Sequence, residues 1–578
     1  MFRTNDTHGQ QSFFDGREWL PDTLRQALAD SWADTFYREV FCQIPEELFA
    51  PLYSDDEASR PNTPVNVLMG VEILKSGAGW SDAELLDHVR FDLQVRHALG
   101  LDDLRTEIFD VRTLYNFRAR VRAYAAETGI NLYGDVFEHV TDEQLTKFAV
   151  AAGWQRMDST QVLSNLADWS RLELLIAVVQ QVYAGLPPEL QALGAEEAAP
   201  YLAGRPRQVS YRLPSSETER HLQRLGELLV AWEAVLAQVA PESEALALAR
   251  RVLREQYEMT AEGLVLRAAA EVPSDSLQSP HDPDATYRVK GGKTYRGGYV
   301  ANVSETAHPD NEVQLITGLE VEGNRADDAD LLAEDLANQR DRDIPVEQVT
   351  VDGGYTGPTA EAACETHQVE LRPTRLRGGK SSAAHWGWEA YTWAVDEEGQ
   401  PVRVTCPEGQ TAEIAPGPGA ERYLARFDRT TCEGCPYFKV ECRVQPRVHK
   451  PPTLYVGQRE VEVAQQRQRL RPEDRSIRAV VEATVRSLKR GLRGDKLPVR
   501  GLTRARMFLY GAALMVNLRR VHRYERKQAA KTAENAEQSA AKDPVFVFRP
   551  VDAIFAYLHH ICATFTSLLA RRSRWALT

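Results

Sequence analysis

Three acidic residues stand where phosphate chemistry could use them. Asp158 lies in QRMDSTQVL, flanked by Met157 and Ser159. Asp352 follows the apolar run 346–351 and precedes Gly353 and Gly354, which let a chain turn close beside a ligand. Glu482 lies in RAVVEATVRSLKR, with Arg478, Val485, Arg486 and Lys489 at helical spacing. Phosphodiester cleavage needs charge neutralised on both sides of the phosphorus, which two Mg²⁺ (or Mn²⁺) ions about 3.5–4 Å apart can do. Such ions prefer hard oxygen ligands, so Asp and Glu suit them and His or Cys do not. A carboxylate among bases on one helix suits a metal beside a phosphate backbone. Each residue also has an ordinary explanation. An Asp after a strand is commonly a turn residue. A Glu on a basic helix is commonly an i,i+4 ion-pair partner, here of Arg478 or Arg486. Glu473 is the rival for the third position.

The elements that must position these residues can be read from periodicity. Residues 155–163 alternate and favour a strand. Residues 299–304 and 314–320 read as two more strands, 327–340 as an amphipathic helix, 346–351 as a strand, 359–366 as a short helix and 369–372 as a strand. Residues 458–493 read as one long basic helix, bent near Pro472, and 504–524 as another helix. This order of strands and helices is that of an RNase H-like mixed α/β sheet, once two insertions are removed. One insertion, 166–279, is helical, with breaks at Pro187-Pro188 and Gly204-Arg205-Pro206. The other, 378–457, is irregular and β-rich. In such a sheet one carboxylate sits mid-strand, one just past a neighbouring strand, and one on a helix crossing the edge.

The expected organisation has five parts. Residues 1–145 form an all-α N-terminal domain. Residues 150–165, 280–377 and 458–525 form the catalytic core, with the two insertions between them. Residues 526–578 are a linker and a C-terminal helix, the linker being an Ala/Lys/Glu/Gln stretch over 527–542. In the first part Ser81 with Glu84 makes a capping box, and Thr113 marks a second helix start.

The chain has 578 residues, 69 Lys+Arg and 83 Asp+Glu, for a net charge of −14. Hydrophobic content of 43% and charged content of 26% exclude wholesale disorder and collagen-like or disulfide-scaffold classes. No apolar run is long enough for a membrane span, and the N-terminal residues lack a secretory-signal pattern. Seven Cys in so long a chain favour a reducing cytoplasmic setting. The charge is uneven. Residues 437–527 hold 23 bases and 8 acids, a net of +15, and the remainder is −29. The basic block contains Glu482. It reads as a polyanion-binding surface or as a solvated helical face.

At this point the stretches 64–127, MDSTQVLSN (157–165), SPHDPDATYRVKGGKTYRGGY (279–299), TVDGGYTG (350–357) and RAVVEATVRSLKRGLR (478–493) can be read together. The chain resembles a bacterial insertion-sequence DDE transposase with an N-terminal helical domain and a cysteine-bearing insert before the catalytic Glu. The resemblance implies Asp158, Asp352 and Glu482 as the catalytic, metal-holding triad. It also implies a Tyr–Arg–Glu–Lys signature, of which Arg478 and Lys489 fit. The expected Tyr falls at Arg475, a departure that weakens any Tyr-specific DNA contact. The implied activity is metal-dependent hydrolysis at the element's ends, then strand transfer to target DNA. The implied partner is double-stranded DNA, bound by a homodimer in the cytoplasm, associated with the nucleoid when on DNA. Two alternatives remain: an RNase H-like nuclease without strand transfer, and a non-enzymatic DNA-binding descendant.

Arg478, Arg486, Lys489, Arg490 and Arg493, with Lys290, Lys293 and Arg296, are candidate DNA contacts, Tyr295 adjoining the last two. Asp282, Asp284 and Lys290 read either as an Asx-turn into a strand or as a DNA-facing loop. Cys406, Cys432, Cys435 and Cys442 have zinc-ligand spacing, and the resemblance includes this pattern. They read as a structural zinc set or as unligated buried thiols. Trp386, Trp388, Tyr391 and Trp393 alternate as one strand face would, for packing or for stacking on an extruded base.

Overall fold

Asp158 is held mid-strand because buried residues on its strand, Met157 and Val162, anchor it in the cores on the two faces of the sheet. The computed structural model describes residues 1–542 apart from 11–13, 55, 57, 193, 262, 291, 377–384, 420, 469 and 471–473; the side chains of 290, 475 and 536–542 are also outside the described ones. Before the sheet come helices α1 (Asp22–Ala29), α2 (Trp32–Glu39), α3 (Val65–Ala78), α4 (Asp82–Phe91), α5 (Leu93–Ala98), α6 (Val111–Thr128) and α7 (Leu132–Lys147). Strand β1 is Trp154–Leu163. Helices α8 (Arg171–Ala184), α9 (Ala195–Leu202), α10 (Pro206–Arg212), α11 (Thr218–Val239) and α12 (Glu244–Gln256) follow, with the hairpin β2 (Tyr257–Thr260) and β3 (Gly263–Leu266). Then come β4 (Thr286–Lys290), β5 (Lys293–Thr306), β6 (Ile316–Gly323), α13 (Asp328–Asp341), β7 (Gln348–Val351), α14 (Pro358–His367) and β8 (Glu370–Pro373). The second insertion holds β9 (Thr392–Val395), β10 (Pro401–Thr405), β11 (Thr411–Pro416), β12 (Arg422–Arg426), α15 (Arg429–Glu433) and β13 (Thr453–Gly457). Last are α16 (Gln458–Gln468), α17 (Asp474–Leu488) and α18 (Leu502–Lys542).

β1 is central. It pairs antiparallel with β5, Asp158 opposite Val303, and parallel with β7, Arg156 opposite Thr350. β6 and β4 pair antiparallel with β5, and β8 pairs parallel with β7. One sheet face, through Val162, Tyr299, Val303, Ile316 and Leu319, shares a core with the N-terminal helices and with α18 residues such as Leu514. The opposite face, through Met157, Val349 and Val351, packs on α13 and α14. The helical insertion has its own core around Trp232, and the Cys-bearing insertion another around Tyr391. The latter is a five-stranded antiparallel sheet in the order β13-β12-β11-β10-β9.

Ser81 and Glu84 make the expected capping box. The next such helix starts earlier than expected: Asp110, not Thr113, caps α6, its carboxylate accepting from the Arg112 N–H at 2.8 Å. α3 ends at Gly79 with φ 73°, and a Cβ there would meet the Gly491 carbonyl oxygen at 2.5 Å. That close approach seats the turn after α17 on the N-terminal helices.

Three sequence readings need correction. The long basic helix is two helices, α16 and α17, and the expected bend at Pro472 lies outside the described residues. The stretch read as a linker is helical to Lys542, because Ala, Lys, Glu and Gln are strong helix formers. The apolar tail beyond it is outside the described residues. The Trp alternation is not one strand face: Trp388 lies in a turn and Trp393 on β9, so the rings cluster instead, with Trp388 and Trp393 centroids 6.0 Å apart. The chain divides into a unit Met1–Val521 and a unit His522–Thr578. Among the described residues no helix is long and apolar enough to cross a membrane.

Candidate active site

Asp158, Asp352 and Glu482 converge on one guanidinium. Arg478 Nη2 lies 3.3 Å from Asp158 Oδ2 and 3.8 Å from Asp352 Oδ2, and its Nη1 lies 3.2 Å from Glu482 Oε1. The contact to Glu482 is the i,i+4 pair the helix spacing offers. The contacts to Asp158 and Asp352 are long-range and bring α17 onto β1 and the end of β7. The site is graded in exposure: the side chains of Asp158 and Asp352 are 15% and 16% exposed, that of Glu482 48%. Solvent therefore reaches the centre from the α17 side.

Asp352 caps a short helical turn, accepting from the Gly354 N–H, and Arg375 Nη2 lies 3.4 Å from its other oxygen. A Cβ at Gly354 would stand 2.5 Å from Asp328 Oδ2 and 2.6 Å from Asp352 Oδ1, so a larger residue there would have to displace one of these carboxylates. Burial pushes the Asp158 carboxyl above its ordinary pKa, Arg478 opposes this, and the like charges of Asp352 and Glu482 reinforce it. Burial works against the Arg478 charge, but Asp158 and Asp352 outweigh it, and its pKa is raised.

Below the site, the buried carboxylate of Glu305 fixes the register of α17. Its Oε1 accepts from Arg156 Nε at 2.6 Å, two residues before Asp158. Its Oε2 accepts from the Thr484 hydroxyl at 2.7 Å, two residues after Glu482, and lies 2.7 Å from Arg520 Nη2. Arg520 also donates to Thr484. β1, β5, α17 and α18 are thus joined at one point. Around Asp158, Ser159 Oγ donates to Asp328 Oδ1 at 2.8 Å, and the buried Tyr355 hydroxyl donates to Asn302 Oδ1 at 2.6 Å. Sequence reasoning missed Glu305, Asp328 and Arg375. None of the three carried a local signal, since even Arg375 is separated from Asp352 by α14 and β8.

The donor chemistry of the three carboxylates fits a hard divalent cation. Among the described residues, however, no three His, Cys, Asp or Glu side chains are already drawn into a metal cage. Arg478 stands between the carboxylates as their common counter-charge. Glu473, the rival for the third position, lies outside the described residues.

The other candidate residues separate. Arg486, Arg490 and Arg493 are exposed. Lys489 is turned inward: its ammonium donates to the Gln161 carbonyl at 2.7 Å and faces Asp495 at 3.6 Å, and burial lowers its pKa. It ties α17 to β1 and does not project as a DNA contact. Lys290, whose side chain is not described, Lys293 and Arg296 lie on the β4–β5 hairpin, and Arg296 pairs with Asp168 at 3.0 Å. Asp282 is buried, accepting from Ser164 and Tyr299, and Asp284 accepts from the Leu502 N–H at the start of α18. Both carboxylates therefore face partners distant in sequence, Asp282 inside the core and Asp284 at the exposed start of α18.

Cys406, Cys432 and Cys442 pack at the core of the second insertion. Burial pushes the Cys432 thiol up to about 11, and Cys442, Cys406 and Cys435 add to it. Cys442 Sγ lies 3.5 Å from the Tyr391 hydroxyl and Cys432 Sγ 3.4 Å from Gln410 Oε1.

Two family matches bear on this arrangement. Residues 405–522 match a transposase DDE domain, a span that holds Glu482, Arg478 and all four of these cysteines. Residues 26–120 match the transposase domain DUF772, which spans α2 to much of α6. The two matches support an insertion-sequence DDE transposase. Asp158 and Asp352 lie outside both spans, so their place beside Glu482 rests on the geometry. No curated protein and no solved structure matched the chain.

Proposed function

We propose that this chain is a divalent-metal-dependent DNA transposase that cleaves the ends of its element and joins them to target DNA. The observation that carries the proposal is the convergence of Asp158, Asp352 and Glu482 from three separate elements, on a helix inside the transposase DDE match. The strand order β6-β5-β1-β7-β8, antiparallel then parallel, supports an RNase H-like core made of 150–165, 280–377 and 458–525. Residues 1–145 are proposed as the end-binding domain. The insertions 166–279 and 378–457 are proposed as separate modules, consistent with their separate cores.

Asp158, Asp352 and Glu482 would hold Mg²⁺ or Mn²⁺. When bound, such ions supply charge neutralisation at the phosphate and activation of the attacking oxygen. The chain's own part is positioning and polarity. Asp158 and Asp352 are fixed by the sheet, and Glu482 is carried in register by the Glu305 junction. Arg478, charged and within reach of all three, can share its fork with a phosphate oxygen at the same centre. The half-exposed Glu482 side lets water or a DNA 3′-hydroxyl enter. Duplex DNA is the proposed substrate, a homodimer on DNA the proposed active form, and the cytoplasm the proposed setting. The four cysteines are proposed to take a structural Zn²⁺ as thiolates.

The test is metal-dependent nicking of a duplex carrying the inverted repeats that flank the gene. Nicking at the repeat boundary in wild type, lost in Asp158→Asn with duplex binding retained, supports the reading. Undiminished nicking by Asp158→Asn removes it.

A further inference from the structure

Away from the carboxylates, a cavity of about 480 Å³ opens between α3, α6, the residue Asn165 just past β1, and the 498–508 segment that leads into α18. That is a usual size for a ligand pocket, roughly 300–1,000 Å³. Its charges divide into two sets. Glu72, Lys75, Asp82 and Arg118 neutralise one another: Arg118 Nη2 lies 2.7 Å from Asp82 Oδ1, its Nε 2.8 Å from Glu72 Oε1, and Lys75 Nζ 2.6 Å from Asp82. Arg122, Arg500 and Arg504 form the second set. None of the three has a carboxylate within ion-pair distance among the described residues.

This surplus stands out in a protein with 83 acidic residues. Three guanidiniums come from three segments, α6, the 498–501 loop and α18, and the two acids that line the same cavity, Glu72 and Asp82, are already paired with Arg118 and Lys75. Arg122 spends only its Nε, on the Arg118 carbonyl at 3.3 Å, and Arg500 only its Nε, on the Asn165 carbonyl at 2.8 Å. Their terminal nitrogens remain for a ligand. Burial lowers the Arg122 pKa, and the like charges of Arg504 and Arg118 add to it. A bound anion would relieve that repulsion. Tyr115 lines the same cavity and is 51% exposed.

We infer that Arg122, Arg500 and Arg504 clamp the phosphodiester backbone of duplex DNA between the N-terminal helices and the sheet. The inference rests on the DNA reading proposed above. Planar guanidinium forks match phosphate oxygens, and backbone contacts set register without reading sequence. Asn165 is seven residues beyond Asp158, so even a fully extended chain puts them no more than about 25 Å apart. One helical turn of duplex is about 34 Å. A duplex with a phosphate at the carboxylates can therefore reach this cavity within one turn. The clamp fixes which stretch of DNA is presented and takes no part in bond breaking.

The test is the salt dependence of duplex binding, measured by fluorescence anisotropy with the full chain and a duplex carrying the flanking repeats. The variant Arg122→Ala/Arg500→Ala/Arg504→Ala should show a slope of log affinity against log salt shallower by about 0.9 for each phosphate left without its guanidinium. The corresponding triple Lys variant, which keeps the charges, should restore most of the slope. Arg504→Ala alone, at an exposed position, should give about a third of the effect and guards against misfolding of the triple variant. Wild-type binding with an unchanged slope in the Ala variants overturns the clamp while leaving the DNA reading intact. A wild type that binds no duplex at any salt overturns both. Pyrophosphate that raises the melting temperature equally with and without saturating duplex also overturns the clamp, because the site would then serve a free phosphate compound.

Discussion

Glu305→Gln is the perturbation that most sharply probes how α17 is held. Glu305 is fully buried, and Arg156 is 6% exposed. One oxygen serves Arg156 and the other serves Arg520 and Thr484. A glutamine amide can keep one acceptor, but it must turn its NH₂ group toward a guanidinium or toward a donating hydroxyl. Arg520, 19% exposed, can turn to water, whereas Arg156 cannot. Breaking one side of a buried pair costs about 3–5 kcal/mol, and the freedom of Arg520 places this case near 3 kcal/mol, on the same scale. That is a large share of a domain's usual 5–15 kcal/mol or so. It corresponds to a local opening equilibrium roughly 10²-fold more populated, at about 1.4 kcal/mol per decade. Hydrogen exchange resolved by segment is the assay, with residues 474–488 compared with the separate core of the helical insertion. Exchange should rise about a hundredfold in the first and stay unchanged in the second. Cleavage should fall with it, since a displacement of about 1 Å at reacting groups costs on the order of 10²-fold, while duplex binding persists. Removing both charges with Arg156→Met/Glu305→Leu should recover part of the stability, as apolar replacements of buried pairs do. Unchanged exchange in 474–488 and a stability loss below about 1 kcal/mol, well short of the buried-pair range, would refute the reasoning.

Three further outcomes follow from the same geometry. Arg478→Ala removes the shared counter-charge of the carboxylates, so added Mg²⁺ should raise the melting temperature of this variant more than that of wild type, as about a tenfold gain in affinity would, while cleavage falls. Burial and the like charges of Asp335 and Glu334 raise Glu320 from 4.5 to about 8, and burial raises Asp335 from 3.8 to about 6. The folded state then binds more protons than the unfolded one, so this stabilisation is full below about pH 4 and is lost as pH rises toward 8; Glu320→Gln should flatten a melting curve series over that window, and an unchanged series would count against it. Protein purified under reducing conditions should carry about one zinc per chain by elemental analysis, for a four-thiolate site, and Cys432→Ser should abolish it; zinc-free wild type of full stability contradicts the ligand reading.

Much of the site was legible because local rules dictate it. The strand at Asp158 follows from alternation, the strand before Asp352 from its apolar run, and the Arg478–Glu482 pair from helical spacing. What escaped was set by distance in space. Nothing near Glu305 in sequence marks it as a partner of Arg156, Thr484 and Arg520, since those contacts exist only once four elements pack. Lys489 looked like a phosphate contact because helical spacing puts it near Glu482, yet the same spacing turns it under β1. Asp282 looked available because Pro, Ser and Asp signal a loop, and tertiary packing buried it against Tyr299. The 527–542 stretch reads as a linker by its low complexity, although the Ala, Lys, Glu and Gln that make up most of it favour a helix. The average charge hid the basic block, and within that block the pairing pattern, which periodicity does not report, singles out Arg500 and Arg504.

The most direct measurement is end joining with pre-cleaved ends of the element, a target plasmid and Mg²⁺, run on wild type and on Asp158→Asn, Asp352→Asn and Glu482→Gln. The account predicts joined product from wild type only when the divalent ion is present, and none from any of the three variants although each still binds the duplex. Joined product at wild-type level from any one variant, or nicking without joining by wild type, would contradict it.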